Sequence, residues 1–133
     1  MLCIPLQIRF RDIDALGHVN NAVFLSYAEM ARLEYFRINL GVKDAADFPF
    51  ILARAEVDFK KPLLLTDRAE VRLSVSRLGS SSWDFQYEVA GTDSEAIYAV
   101  IKTVQVAYDY SASKSVPIPE GLREILNGDL VAQ

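Results

Sequence analysis

The sequence predicts an α+β fold, one long helix laid against an antiparallel sheet, and three observations carry that prediction. The segment from Ala22 to Ile38 contains neither Gly nor Pro and is long enough for more than four turns of helix. Several other segments alternate apolar and polar residues with the period of a half-buried strand. Short turns join most of those strands, which makes neighbours antiparallel and leaves the single helix to cover one face.

In chain order, Leu6, Ile8 and Phe10 alternate with Gln7, Arg9 and Arg11, so the first strand is read there. Asp12 to Gly17 interrupts it with turn formers. Asn20 or Asn21 then caps the helix, a short side-chain acceptor meeting amides that the first turn leaves unpaired. Between Ala22 and Ile38 apolar residues outnumber polar ones 12 to 5. Phe24, Tyr27, Ala28, Ala31, Tyr35 and Ile38 recur at helical spacing on one side, while Leu25, Leu33 and Phe36 fall elsewhere on the circumference. A helix apolar on so many sides has to be largely enclosed by other structure. Asn39 and Gly41 are its stop.

Ile51, Ala53, Ala55, Val57 and Phe59 alternate with charged partners up to Pro62. Ala69, Val71, Leu73 and Val75 form the next strand, and Gly79–Ser82 the turn after it. Trp83, Phe85, Tyr87 and Val89 follow, then a second turn at Gly91–Ser94. The last long strand, about Ala96 to Tyr110, is apolar on both faces through Ile97, Val100, Ile101, Val104 and Val106. One face is expected under the helix and the other against a second subunit. Pro117 and Pro119 precede a short amphipathic helix, Glu120 to Leu126. With no repeat or linker, residues 1–133 read as one domain.

Composition narrows the function. A net charge of −4 leaves no excess of Lys and Arg to neutralise phosphates, which argues against a nucleic-acid binder. Cys3 is the only cysteine and His18 the only histidine, so neither a disulfide nor a usual zinc site is expected. No signal peptide and no membrane span are read, and the expected location is the cytoplasm. There is no Gly-x-Ser-x-Gly elbow, phosphate loop or dinucleotide fingerprint, and no cofactor is expected. Chemistry has to come from carboxylates, backbone amides and His18.

The stretch Arg9-Phe10-Arg11-Asp12-Ile13-Asp14-Ala15-Leu16-Gly17-His18-Val19-Asn20-Asn21 places two carboxylates and the histidine in a loop feeding a helix N-terminus. Exposed first-turn amides favour negative charge there and polarise a carbonyl oxygen as an oxyanion hole does. A neighbouring carboxylate can attack the carbon or activate a water. The plain alternative is that these residues are caps and turn formers.

This stretch resembles the 4-hydroxybenzoyl-CoA thioesterase-like branch of the hotdog-fold superfamily. It is also similar to plant acyl-ACP thioesterases, which share the pattern Asp-x-Asp-x-x-x-His-Val-Asn-Asn. Weaker likenesses continue through Lys61-Pro62 with Thr66-Asp67, the turn before Ser82-Trp83, and Lys114 to Pro119. The resemblance implies a curved antiparallel sheet wrapped round one long central helix. It also implies hydrolysis of acyl-CoA thioesters, and a homodimer or homotetramer with active sites at the dimer interface. Asp14 falls at the catalytic carboxylate of the CoA branch, as nucleophile or general base, and an amide near Asn21 at the one that polarises the carbonyl. Ser81 and Ser82 fall in a region that contributes to the CoA site, although a polar hairpin turn accounts for them equally. In the plant branch an Asn stands two residues beyond the Asp; here that position is Leu16, while His18 is kept.

For the remaining residues two roles stay open. His18 binds the acyl carbonyl or assists proton transfer, or else simply holds the loop against Asp14. Asp12 orders the loop through backbone amides. Glu29 pairs with Arg32 or lines the pocket. Lys102, on a mostly apolar strand, lies at an interface or a pocket mouth. Alternative readings are an acyl-ACP thioesterase and a non-catalytic module that binds acyl thioesters. A hotdog hydratase is disfavoured, its own Asp–His pattern being absent.

Overall fold

The computed structural model describes residues 1–44 and 47–131. Six strands and two α-helices follow one another as β1 (Leu2–Pro5), α1 (Val23–Leu40), β2 (Phe50–Phe59), β3 (Ala69–Leu78), β4 (Ser82–Gly91), β5 (Ile97–Asp109), β6 (Lys114–Ser115) and α2 (Glu120–Gly128). A 3₁₀ turn, Phe10–Asp12, lies between β1 and α1. The architecture is α+β. The strands pair antiparallel in the order β1-β3-β4-β5-β2, and β6 adds to the end of β5.

Alternation sets the inner face. Ala69, Val71, Leu73 and Val75 of β3 and Trp83, Phe85, Tyr87 and Val89 of β4 are all buried, as their period of two requires. The buried stripe of α1 is Phe24, Tyr27, Ala28, Ala31, Arg32, Tyr35 and Phe36. Helix and sheet meet through edge-to-face rings, Tyr35 on Phe85 at 5.0 Å and Phe36 on Phe85 at 6.2 Å. Gly41 ends α1 at φ 65°, a left-handed conformation open to glycine at no steric cost. Asn39 supports that end by donating from Nδ2 to the Tyr35 carbonyl (2.9 Å).

Four expectations need correction. The first strand lies at Leu2–Pro5, ahead of the Leu6–Phe10 alternation. Leu6 and Ile8 still turn inward, but among the described residues of that run only the Leu6 amide pairs with β3, donating to Ala69 O at 2.9 Å, because β3 begins there. Ile38 is exposed, not on the buried stripe, and Phe36 is on it. Within one chain α1 is also not enclosed: Leu25, Met30, Leu33 and Leu40 stand exposed along its outer side. In β2 the pairing shifts between Leu52 and Arg54, leaving Ala53 as the extra residue of a bulge, so the simple alternation read there changes phase.

The inner face is not wholly apolar. Arg32 Nη1 donates to the Tyr87 hydroxyl (3.2 Å), which shares a hydrogen bond with Thr103 Oγ1 (2.6 Å), and Gln105 Nε2 donates to the same Thr103 oxygen (2.5 Å). Arg32 therefore does not pair with Glu29. Lys102 points to the other face, with Nζ 3.8 Å from the buried carboxylate of Asp84, which Arg77 also holds (2.8 Å).

Candidate active site

Topology decides where the site forms. β2 is an edge strand beside β5, whereas two strands, β5 and β4, separate it from β3, so the chain from Lys60 to Arg68 must cross the ends of both. The amides of Lys60 and Lys61 both donate to Tyr98 O (2.8 and 3.2 Å), and Leu63 is fully buried under the start of α1. Leu63 O then accepts the Val19 amide at 2.8 Å, fixing the loop before α1 to this crossing.

The loop is built largely by its own backbone. Asp14 N donates to His18 O (2.8 Å), Gly17 N to Asp14 O (3.0 Å), and Ile13 bridges Val19. Gly17 takes φ 83°, which favours glycine at that turn. Asp14 Oδ1 accepts the Leu16 amide at 2.9 Å and lies 3.5 Å from the His18 amide. Its other oxygen, Oδ2, has no hydrogen-bond partner among the described residues.

Asp12 does the ordering expected of it and more. Its Oδ2 accepts the Arg9 amide (3.0 Å) and the Tyr27 hydroxyl (2.8 Å), and its carbonyl accepts Asn20 N (2.8 Å). Burial, then the hydrogen bond and charge of Asp12, push the Tyr27 hydroxyl well above its ordinary pKa. Asn20 supplies the turn into the helix, its Oδ1 accepting Ala22 N (2.9 Å). No acidic side chain stands in the first turn of α1. Ala22 is the N-cap of α1 and no side chain caps the helix, so neither asparagine is the cap expected from the sequence; among the described residues the Asn21 amide, one residue ahead of that cap, donates to no acceptor and is open to a carbonyl oxygen.

His18, Asn21, Phe24, Phe59, Lys60, Lys61 and Leu63 line a cavity of about 210 Å³ at this point. Asp14 sits beside it through its backbone pairing with His18. Three of the five predicted site residues, Asp14, His18 and Asn21, are thus brought together. Ser81 and Ser82 are not: they lie at the far end of β4, about 30 Å of strand away at its usual rise per residue. There Ser81 O accepts the Ala107 amide, Ser82 O the Gly79 amide, and Ser82 Oγ the Arg77 guanidinium (2.9 Å). Phe59, Lys60 and Leu63 were not foreseen as walls; the Lys61-Pro62 pair is the one local trace of that crossing. Phe24 serves as both core and wall. Among the described residues no three His, Cys, Asp or Glu side chains are placed to hold a metal ion.

Comparison with known proteins gives the family. The profile of the Thioesterase-like superfamily matches residues 8–126. A 1,4-dihydroxy-2-naphthoyl-CoA hydrolase of Microcystis aeruginosa is 34% identical over 125 residues, spanning 90% of this chain and 88% of its own. A Thermus thermophilus thioesterase solved with coenzyme A and zinc is 37% identical, with a TM-score of 0.84 over 95% of this chain and 91% of that one. A Pseudomonas aeruginosa protein overlays with a TM-score of 0.90 at 25% identity, covering 99% of this chain and 93% of that one. The chain belongs to the thioesterase-like superfamily.

Proposed function

We propose that this protein hydrolyses acyl-CoA thioesters to the free acid and coenzyme A, with Asp14 as the reacting carboxylate. The observation that supports the reading is a small cavity lined by His18 and Asn21, whose Asn21 amide is unmet, next to a loop in which Asp14 keeps one carboxylate oxygen free. The acyl carbonyl oxygen accepts from the Asn21 amide, and the negative charge that develops on it in the transition state is stabilised there. In one route Asp14 attacks the carbonyl carbon, the C–S bond breaks, and water cleaves the resulting anhydride. In the other Asp14 takes a proton from water as the water oxygen attacks, and the thiolate leaves and is protonated. His18 holds the loop through its backbone and faces the acyl group.

The cavity is smaller than the roughly 300–1,000 Å³ of ordinary ligand pockets. We read it as half a site, completed by a second copy of the chain. The open edge of β2 and the exposed Leu25 and Leu33 of α1 are the surfaces such a copy covers. In that dimer the two sheets join into a hotdog arrangement curled round the helices, and Ser81 and Ser82 reach substrate only if assembly brings them there. A further pairing of dimers into a tetramer, a single-domain chain and a cytoplasmic location complete the reading; among the described residues no helix is long and apolar enough to cross a membrane.

The test is a hydrolysis screen over acyl-CoAs of varied acyl group, with acyl-ACPs alongside, following released thiol. Turnover of acyl-CoAs abolished by Asp14→Asn is the expected result. Turnover confined to acyl-ACPs moves the reading to the carrier-protein class, and binding without turnover of either makes it a non-catalytic module.

A further inference from the structure

The chain has nine arginines. Seven donate to identified partners: Arg37, Arg54, Arg68, Arg72 and Arg77 to carboxylates, Arg32 to Tyr87, and Arg123 to the carbonyls of Gly79 and Ser80. The guanidinium groups of Arg9 and Arg11 donate to no acceptor among the described residues. In a chain of net charge −4, two such neighbours are the exception.

Both line a second cleft, of about 370 Å³, on the β1 side of the α1 N-terminus. The thioester cavity lies on the other side of that helix start, toward β2. Gln7 and Ser26 add neutral donors to the cleft, and Val23 and Met30 give it an apolar floor. Asp12 is its single carboxylate, and Oδ2 of that group is already taken by Arg9 N and the Tyr27 hydroxyl. Two cations against one anion leave the cleft net positive. Between the arginines Phe10 is 84% exposed, a free aromatic face next to positive charge.

A thioester carried on a pantetheine arm holds its phosphates well away from its sulfur. They must be met outside the cavity that takes the acyl carbonyl. Planar guanidiniums suit phosphate oxygens, and an aromatic face beside them suits a base. We propose that the Arg9–Arg11 cleft binds the nucleotide phosphates of coenzyme A and so selects coenzyme A over a protein carrier, which has no nucleotide. The selectivity rests on the thioesterase reading; the phosphate binding does not.

Calorimetry with adenosine 3′,5′-bisphosphate and with coenzyme A, on the wild type and on Arg9→Gln/Arg11→Gln, tests the binding. The double variant should bind both at least about tenfold more weakly, the scale of losing one charge-assisted hydrogen bond. Wild-type affinity should fall as salt rises. Kinetics give the second reading. The wild type should prefer acyl-CoA over the matching acyl-pantetheine through KM, and the variant should lose that preference; the bisphosphate should inhibit competitively against acyl-CoA. Equal affinity in wild type and variant, a retained preference, or non-competitive inhibition overturns the proposal. A wild type that hydrolyses acyl-CoA with a KM the variant leaves unmoved removes this subsite and keeps the thioesterase reading. Arginine-dependent binding of the bisphosphate with no hydrolysis of any thioester does the reverse.

Discussion

Tyr27 donates its hydroxyl to Asp12 Oδ2 across 2.8 Å, and this one bond ties α1 to the loop that carries Asp14. Tyr27→Phe leaves that carboxylate oxygen with the Arg9 amide alone. The expected cost is about 1–3 kcal/mol, the range for a hydrogen bond to a charged group, read as a lower midpoint in urea denaturation. The pH dependence follows from the raised pKa of Tyr27. A proton held more tightly in the folded chain stabilises fully below the unfolded value of about 10, and that stability is lost as pH rises through the folded value. The stability gap between wild type and Tyr27→Phe should therefore be constant at neutral pH and close in alkali.

Asp14→Asn should keep the fold, since asparagine can still accept the Leu16 amide through its Oδ1. Turnover should fall about 10²-fold or more, the scale of a positioned acid or base. Near-normal thiol release from a folded variant would exclude Asp14 and bring Asp12 or Glu29 forward.

His18→Ala is expected to be mild. The ties between His18 and Asp14 run through His18 N and O, which alanine retains. The imidazole makes no hydrogen bond among the described residues. A loss of less than about tenfold in kcat is the outcome that fits a wall; a loss near 10²-fold assigns the ring to proton transfer, as in the plant-type pattern.

Light scattering at micromolar concentration should give a dimer or tetramer, because β2 leaves a ladder edge open and α1 leaves apolar side chains bare. A monodisperse monomer would remove the interfacial site along with the assembly.

What the sequence makes legible is what local periodicity and loop chemistry determine. β3 and β4 are readable because Ala69 to Val75 and Trp83 to Val89 alternate without a break along the buried face. The loop is readable because Asp14, Gly17 and Asn20 are each used for their own turn-forming chemistry. The first strand is misplaced because pairing, not alternation, defines it, and its partner begins only at Ala69. Phe59, Lys60 and Leu63 reach the site from some forty residues downstream, a placement set by strand order. Arg32 looks like the surface partner of Glu29 until the acceptor opposite it, Tyr87, is known.

That buried arginine has a consequence for how α1 can sit. A helix apolar on most of its circumference could bury another stripe with little change in transferred area, so hydrophobicity alone leaves its rotation about its own axis ambiguous. Turning α1 by one residue, about 100°, would swing the guanidinium away from Tyr87 and strand the polar row of Thr103 and Gln105 beneath leucine or alanine. An uncompensated charge or an abandoned polar pair in the core costs several kcal/mol, more than a shift of stripe recovers. Arg32 thereby indexes the helix to one azimuth, and with it the side that α1 turns toward the sheet.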